Sequence, residues 1–282
     1  MMSDVFKVQG FTAPLIIHHS LLRYFTVFSI FLLTAASSFG QSLDDVKKFL
    51  AQRDLNKIEK YLENPNDRTS GKKIHVWEYL RELNADYEEG VCYFEIVVPD
   101  TENVAINIVY TYRITLIANK KNIIFYELSE KKYKEDTEDM IPYFETISKF
   151  RDDKAFGNLK ILFTRTFLKE LNEAELFNED IVYGHHCGIA GIDPDEKLEI
   201  DRLVQKKNRK SLLNWLQSTN TEKQVYAVDG FYQLKTSGVK LTDKEINLIN
   251  QILKKKGTIQ VCYGCISTNE EISTVTKGFM FE

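Results

Sequence analysis

A chain of 282 residues, 43% of them hydrophobic and 28% charged, holds enough material for one large or two ordinary domains and is not composed like a disordered protein. Its 37 Lys and Arg against 41 Asp and Glu leave a formal charge of −4. The two signs are interspersed, as in Glu130-Lys131-Lys132-Tyr133-Lys134-Glu135-Asp136, so no basic face for a phosphate backbone stands out and the composition argues against a nucleic-acid role.

The first 40 residues have the order of an export signal. Arg23 precedes an apolar run from Tyr24 to Ala36, and the small residues Ser37, Ser38 and Gly40 follow. That run is too short for the roughly 20 residues that cross a bilayer as a helix, so it is expected to be cleaved, between Gly40 and Gln41, and not to leave a stable membrane span. No cysteine precedes Cys92, which rules out lipid attachment at a processed N-terminal cysteine. The expected location is secreted or periplasmic. Cleavage removes Lys7, Arg23 and Asp4, so 37 minus 41 becomes 35 minus 40, a charge of −5.

From Ser42 to Leu62, apolar residues at three- and four-residue steps predict a helical hairpin or one bent helix, with Asp44 and Asp45 where a helix start favours negative charge. Asn64-Pro65-Asn66-Asp67 breaks it, and the polar stretch to Lys73 reads as a linker. Trp77 to Tyr87 fits one more helix, with Trp77, Leu80, Leu83 and Asn84 on one face. The period then shortens to two. Cys92–Val98, Val104–Ile117 and Asn122–Leu128 predict the strands of an antiparallel meander, with Cys92 as a buried thiol in its edge strand. This order of elements resembles the small cone-shaped folds of the nuclear transport factor 2 and cystatin kinds, which implies a pocket between helix and sheet that takes a small ligand.

After Pro142 the pattern is helical. Leu159 to Phe177 predicts one helix. Asp193-Pro194-Asp195-Glu196 offers an N-cap followed by proline at the first helical position, and Thr221-x-x-Gln224 and Thr242-x-x-Glu245 fit capping boxes. Gly238 and Gly257 sit where helices should end. Leu212 to Gly238 (LLNWLQSTNTEKQVYAVDGFYQLKTSG) resembles one repeat of the HEAT and armadillo kind, with Ala227 at the expected close approach of its two helices. The resemblance implies a surface that holds another protein. An ordinary helical bundle with good caps fits the same residues. The overall expectation is an α+β protein of the exported bacterial sort: signal peptide 1–40, helical hairpin plus sheet 41–140, and a helical domain 141–282 that ends in a CxxC segment.

Chemistry is sparse. GxxxxGK[ST], HExxH, GxSxG and GxGxxG are all absent, so the commonest nucleotide and hydrolase signatures fail and no catalytic residue is assigned. Cys187, Cys262 and Cys265 flank the helical block. A bond from Cys187 to either member of the CxxC would close a loop of about 75 residues and stabilise by roughly 4 to 5 kcal/mol in the chain-entropy treatment, against about 2 for a bond within the CxxC. The expected arrangement is therefore a staple that joins Cys187 to one of the pair. Two rivals stay open: a structural zinc site drawn from His185, His186, Cys187, Cys262 and Cys265, and a thiol-dependent enzyme on the same residues. The functional expectation is a binding or scaffold module for another protein, without a resident cofactor.

Overall fold

Between Ile74 and Arg151 the chain supplies a run of strands, the last of them in Pro142–Arg151, where a helical pattern was expected. They are β1 (Ile74–Asn84), β2 (Tyr87–Pro99), β3 (Asn107–Asn119), β4 (Asn122–Tyr133) and β5 (Pro142–Arg151). Every neighbouring pair is antiparallel, in sequence order. The computed structural model describes residues 43–63, 74–100, 107–134, 140–188 and 190–281. The export signal expected in residues 1–40 and the linker expected from Asn64 to Lys73 lie outside the described residues, and Asp45–Glu282 forms one compact unit.

Two further expectations change here. Residues from Trp77 onward form β1 and the turn into β2, not a helix. Glu78, Leu80, Arg81, Glu82 and Leu83 are good helix formers, but pairing with β2 overrides that local preference, and Tyr79, Arg81 and Leu83 alternate inward along the strand. Cys92 is buried as expected, yet β2 lies between β1 and β3 and is not an edge.

Before the sheet, α1 (residues 43–51) and α2 (Leu55–Glu63) make the predicted helical hairpin. The Leu55 amide donates to the Lys121 carbonyl at 2.8 Å and the Ile123 amide to the Arg53 carbonyl at 2.8 Å, which ties the hairpin to the β3–β4 turn.

After the sheet come α3 (Asp153–Phe167), β6 (Tyr183–His185), α4 (Asp195–Gln205), α5 (Arg209–Leu216), α6 (Thr221–Thr236), α7 (Asp243–Leu253), β7 (Thr258–Tyr263), β8 (Ile266–Glu271) and the short α8 (Ile272–Val275). The helix expected to run to Phe177 stops at Phe167, because Leu168 turns left-handed (φ 57°) and its amide closes onto the Thr164 carbonyl. The capping box at Thr242 and Glu245 is present. The other two caps differ. Asn220, not Thr221, caps α6, and Gln224 bonds the Leu216 and Ser218 carbonyls instead. Pro194 stands at the α4 boundary while Asp193 accepts the His186 amide. Gly238, at φ 87°, follows α6 as predicted. Gly257 instead permits a close approach of two chain segments. A Cβ there would collide with the Leu80 carbonyl and Arg81, where β1 passes against the chain entering β7.

Because side chains alternate along strands, the sheet has two faces. Leu83, Tyr87 and Ile117 point into one apolar core with Phe156, Phe163 and Phe167 of α3 and with the buried residues of α4 to α7. Cys92, Phe94, Tyr112, Ile114 and Leu116 point the other way. They are buried outside that core, as are Val46, Leu50, Leu55, Ile58 and Leu62 of the hairpin. The sheet thus has buried side chains on both faces, and α+β describes the fold.

Candidate functional site

The sequence-predicted residues gather at one corner. β6 runs parallel to β7, with Gly184 beside Cys262 and His185 beside Tyr263. A Cβ on Gly184 would strike the Cys262 carbonyl and come within 2.6 Å of its sulfur, so the small residue is what lets β6 pass over the cysteine. The Gly184 amide donates to the Tyr226 hydroxyl at 3.0 Å, and that hydroxyl donates to the Val182 carbonyl at 2.9 Å, which fixes the strand on α6. Cys187 follows β6 in a loop that doubles back through a bridge to Ile192. His186, Gly188 and Gly191 take φ of 52°, 74° and 60°, conformations natural to glycine and strained for histidine. The Asp193 carboxylate compensates. It accepts the His186 amide at 2.7 Å, and that bond is the main reason its acidity is strengthened.

Cys187 and Cys262 lie at disulfide distance, with Cα atoms 5.6 Å apart. Cys265 is unpaired and exposed in the two-residue turn between β7 and β8. The turn is tied to the Cys187 loop through the Gly188 amide, which donates to the Gly264 carbonyl at 2.6 Å. Both His185 and His186 are exposed. Among the described residues, no three His, Cys, Asp or Glu side chains are set to hold a metal ion together, the five weighed for zinc included. Cys92 is remote in use as well as in sequence: burial pushes its thiol up to about 12.

A second feature escaped the sequence reading. Arg81 is completely enclosed, with Nε donating to Glu89 Oε1 at 2.9 Å and Nη1 to Glu222 Oε1 at 2.5 Å. Its guanidinium also lies 3.9 Å from the centre of the Tyr79 ring. Burial opposes the charge, but Glu222 and Glu89 outweigh it and hold the arginine more firmly protonated than usual. Lys255 is equally enclosed. Its ammonium reaches Thr221 Oγ1 at 3.5 Å and faces the Phe167 ring at 5.3 Å, and burial lowers its pKa to about 7 against the pull of Glu89, Glu82 and Glu222. β1, β2, the N-terminus of α6 and the α7–β7 connection meet at this cluster, and Glu222 also accepts the Gln260 amide of β7 at 3.3 Å. The arrangement works as a lock between sheet and helices. A lone Arg in a strand misread as helix carried no sequence signal for it.

A third feature is the free end of the sheet. The first residues of β3 and every residue of β5 are exposed or half-exposed. Ile108, Val109, Tyr133, Met140, Ile141 and Tyr143 all project there with 41% or more of their surface in solvent. The border with the helical block is Glu179, which takes the Tyr93 hydroxyl at 2.9 Å and lies 3.6 Å from Arg113. Burial raises the Glu179 pKa in spite of those two partners, and burial followed by Glu179 raises that of Tyr93 to about 12. Clefts elsewhere are open and of mixed lining. One of about 530 Å³ lies beside α3 and α7, lined by Arg165, Thr166, Leu168, Lys244, Asn247 and Gln251.

Comparison of the chain with protein-family models, with curated proteins and with solved structures gives no significant match. Among the described residues, no helix is long and apolar enough to cross a membrane.

Proposed function

We propose that this chain is an exported, secreted or periplasmic module that binds another protein. The observation that carries this reading is the free end of the five-stranded sheet, where six large apolar side chains stay in solvent. Apolar side chains gathered in solvent at one end of a sheet, on both of its faces, are the kind of exposed apolar surface that an interaction would bury. Export is supported by the apolar run Tyr24–Ala36 and by a cysteine pair at disulfide distance, an arrangement that persists in oxidising compartments. The HEAT-like helix pair offers less as a docking face. α5 and α6 turn Leu212, Leu216, Val225, Tyr226, Val228 and Phe231 into the core and leave little apolar surface outside.

The test is capture from an envelope extract by immobilised residues 41–282 beside a Val109→Asp, Tyr143→Ser double variant. One specific partner held by the parent and lost by at least about tenfold in the variant, at unchanged thermal stability, supports the reading. Equal capture by both proteins, or capture of nothing by either, overturns it.

A further inference from the structure

The cysteine corner holds three sulfurs, and only two can pair at once. We propose that Cys187 carries an exchangeable disulfide whose partner alternates between Cys262 and Cys265, with Cys265 as the thiol that displaces an outside thiol from Cys187.

Cys187 stands one residue before Gly188 and Cys265 one residue after Gly264, and a single hydrogen bond of 2.6 Å joins the Gly188 amide to the Gly264 carbonyl. One peptide unit on each side of that bond bounds the Cα separation of Cys187 and Cys265 at about 8 Å. A disulfide needs about 4.4 to 6.8 Å. Gly188 and Gly264, at φ 74° and 59°, are the hinges that can close the difference. The existing partner, Cys262, is 5.6 Å away by the same measure, so Cys187 lies between two candidate sulfurs. Loop entropy barely separates them. The Cys187–Cys262 bond spans 75 residues and the alternative spans three more, a preference of only about 1.1-fold. Local packing decides, and it favours Cys262, which is 4% exposed under Gly184 while Cys265 is in solvent.

The exchange is redox-neutral and needs no oxidant. The Cys265 thiolate attacks Cys187 Sγ, a Cys187–Cys265 bond forms as the Cys187–Cys262 bond breaks, and Cys262 leaves as a thiolate that takes up the proton Cys265 lost. An outside thiol such as glutathione that opens the staple at Cys187 is expelled by Cys265 in the same way. The corner therefore sheds mixed disulfides instead of accumulating them. This inference needs the Cys187–Cys262 bond to form in the exported protein, but it does not depend on docking at the sheet.

The folded protein, incubated in a glutathione redox buffer at pH 8, quenched with acid, alkylated and mapped, provides the test. Expected is a minor Cys187–Cys265 population beside Cys187–Cys262, with Cys262 alkylated to the same extent. The Cys265→Ser variant should keep the Cys187–Cys262 bond yet accumulate glutathione on Cys187 by roughly fivefold over the parent. Glutathione at the parental level in Cys265→Ser, with Cys187–Cys265 never found, overturns the exchange. Four free cysteines in protein alkylated without reductant overturn it too, by removing the bond it starts from.

Discussion

Strand β3 belongs to two different environments within 13 residues. Its first residues, Asn107 to Val109, are exposed, while Ile114 to Ala118 are buried on both faces of the strand. At the buried end, even the charges are enclosed: Arg81 is held by Glu89 and Glu222, and Lys255 lies beside them against the Thr221 hydroxyl. At the free end, even apolar residues are left in water. The contrast separates a part of the fold that must be satisfied internally from a part that need not be, since an unpaired buried charge costs far more than a solvated leucine-sized side chain.

Breaking the enclosed end should have the largest effect. Glu222→Ala strips Arg81 of one of its two carboxylates and leaves Gln260 without its acceptor, so denaturant unfolding should report a loss of about 3 to 5 kcal/mol. Cys187→Ser removes the long-range pair and should cost about 2 to 5 kcal/mol by the same measurement, with reductant then having no further effect on the variant.

Lys255 gives the lock a pH dependence. In the unfolded chain this amine keeps its proton up to about 10.4, whereas in the fold it loses it above about 7. Between those values the unfolded state binds more protons, so stability should rise with pH, by up to about 1.4 kcal/mol per unit. Below that window both states are protonated and the penalty of burying the charge is constant. Urea midpoints from about pH 6 to about pH 9.5 check the sign, and Lys255→Met should flatten the rise and stabilise the protein at the acid end.

Packing inside the helical block is more forgiving. At Gly230 a Cβ would come 2.8 Å from Leu212 Cδ2 and 3.2 Å from Ile200 Cγ2. Gly230→Ala should therefore lose about 1 kcal/mol net, overpacking offset by the better helix propensity of alanine, as read from the thermal midpoint. The smallest effect belongs to the free end: Val109→Asp should change stability by no more than about 0.5 kcal/mol, and a larger loss would mean that this surface is part of the core after all.

Much of this architecture was written locally. The apolar spacing from Val46 to Leu62, the two-residue alternation in Asn122–Leu128, the Thr242–Glu245 box and the glycine after α6 each act over a few residues, and the chain honours them. The sequence also determined that Cys187 and the CxxC would flank the helical block, because chain order alone places them there. Tertiary structure decided what depends on distant partners. It turned Trp77–Asn84 from helix to strand, since β2 supplies a ladder that no short window of sequence contains. Glu89 and Glu222 come to Arg81 across 8 and 141 residues, and Cys262 was chosen over Cys265 as the partner of Cys187 by the packing of β6 on β7. A buried ion pair has no periodicity, and two cysteines three residues apart have nearly the same loop entropy, so neither could be read before the chain was folded.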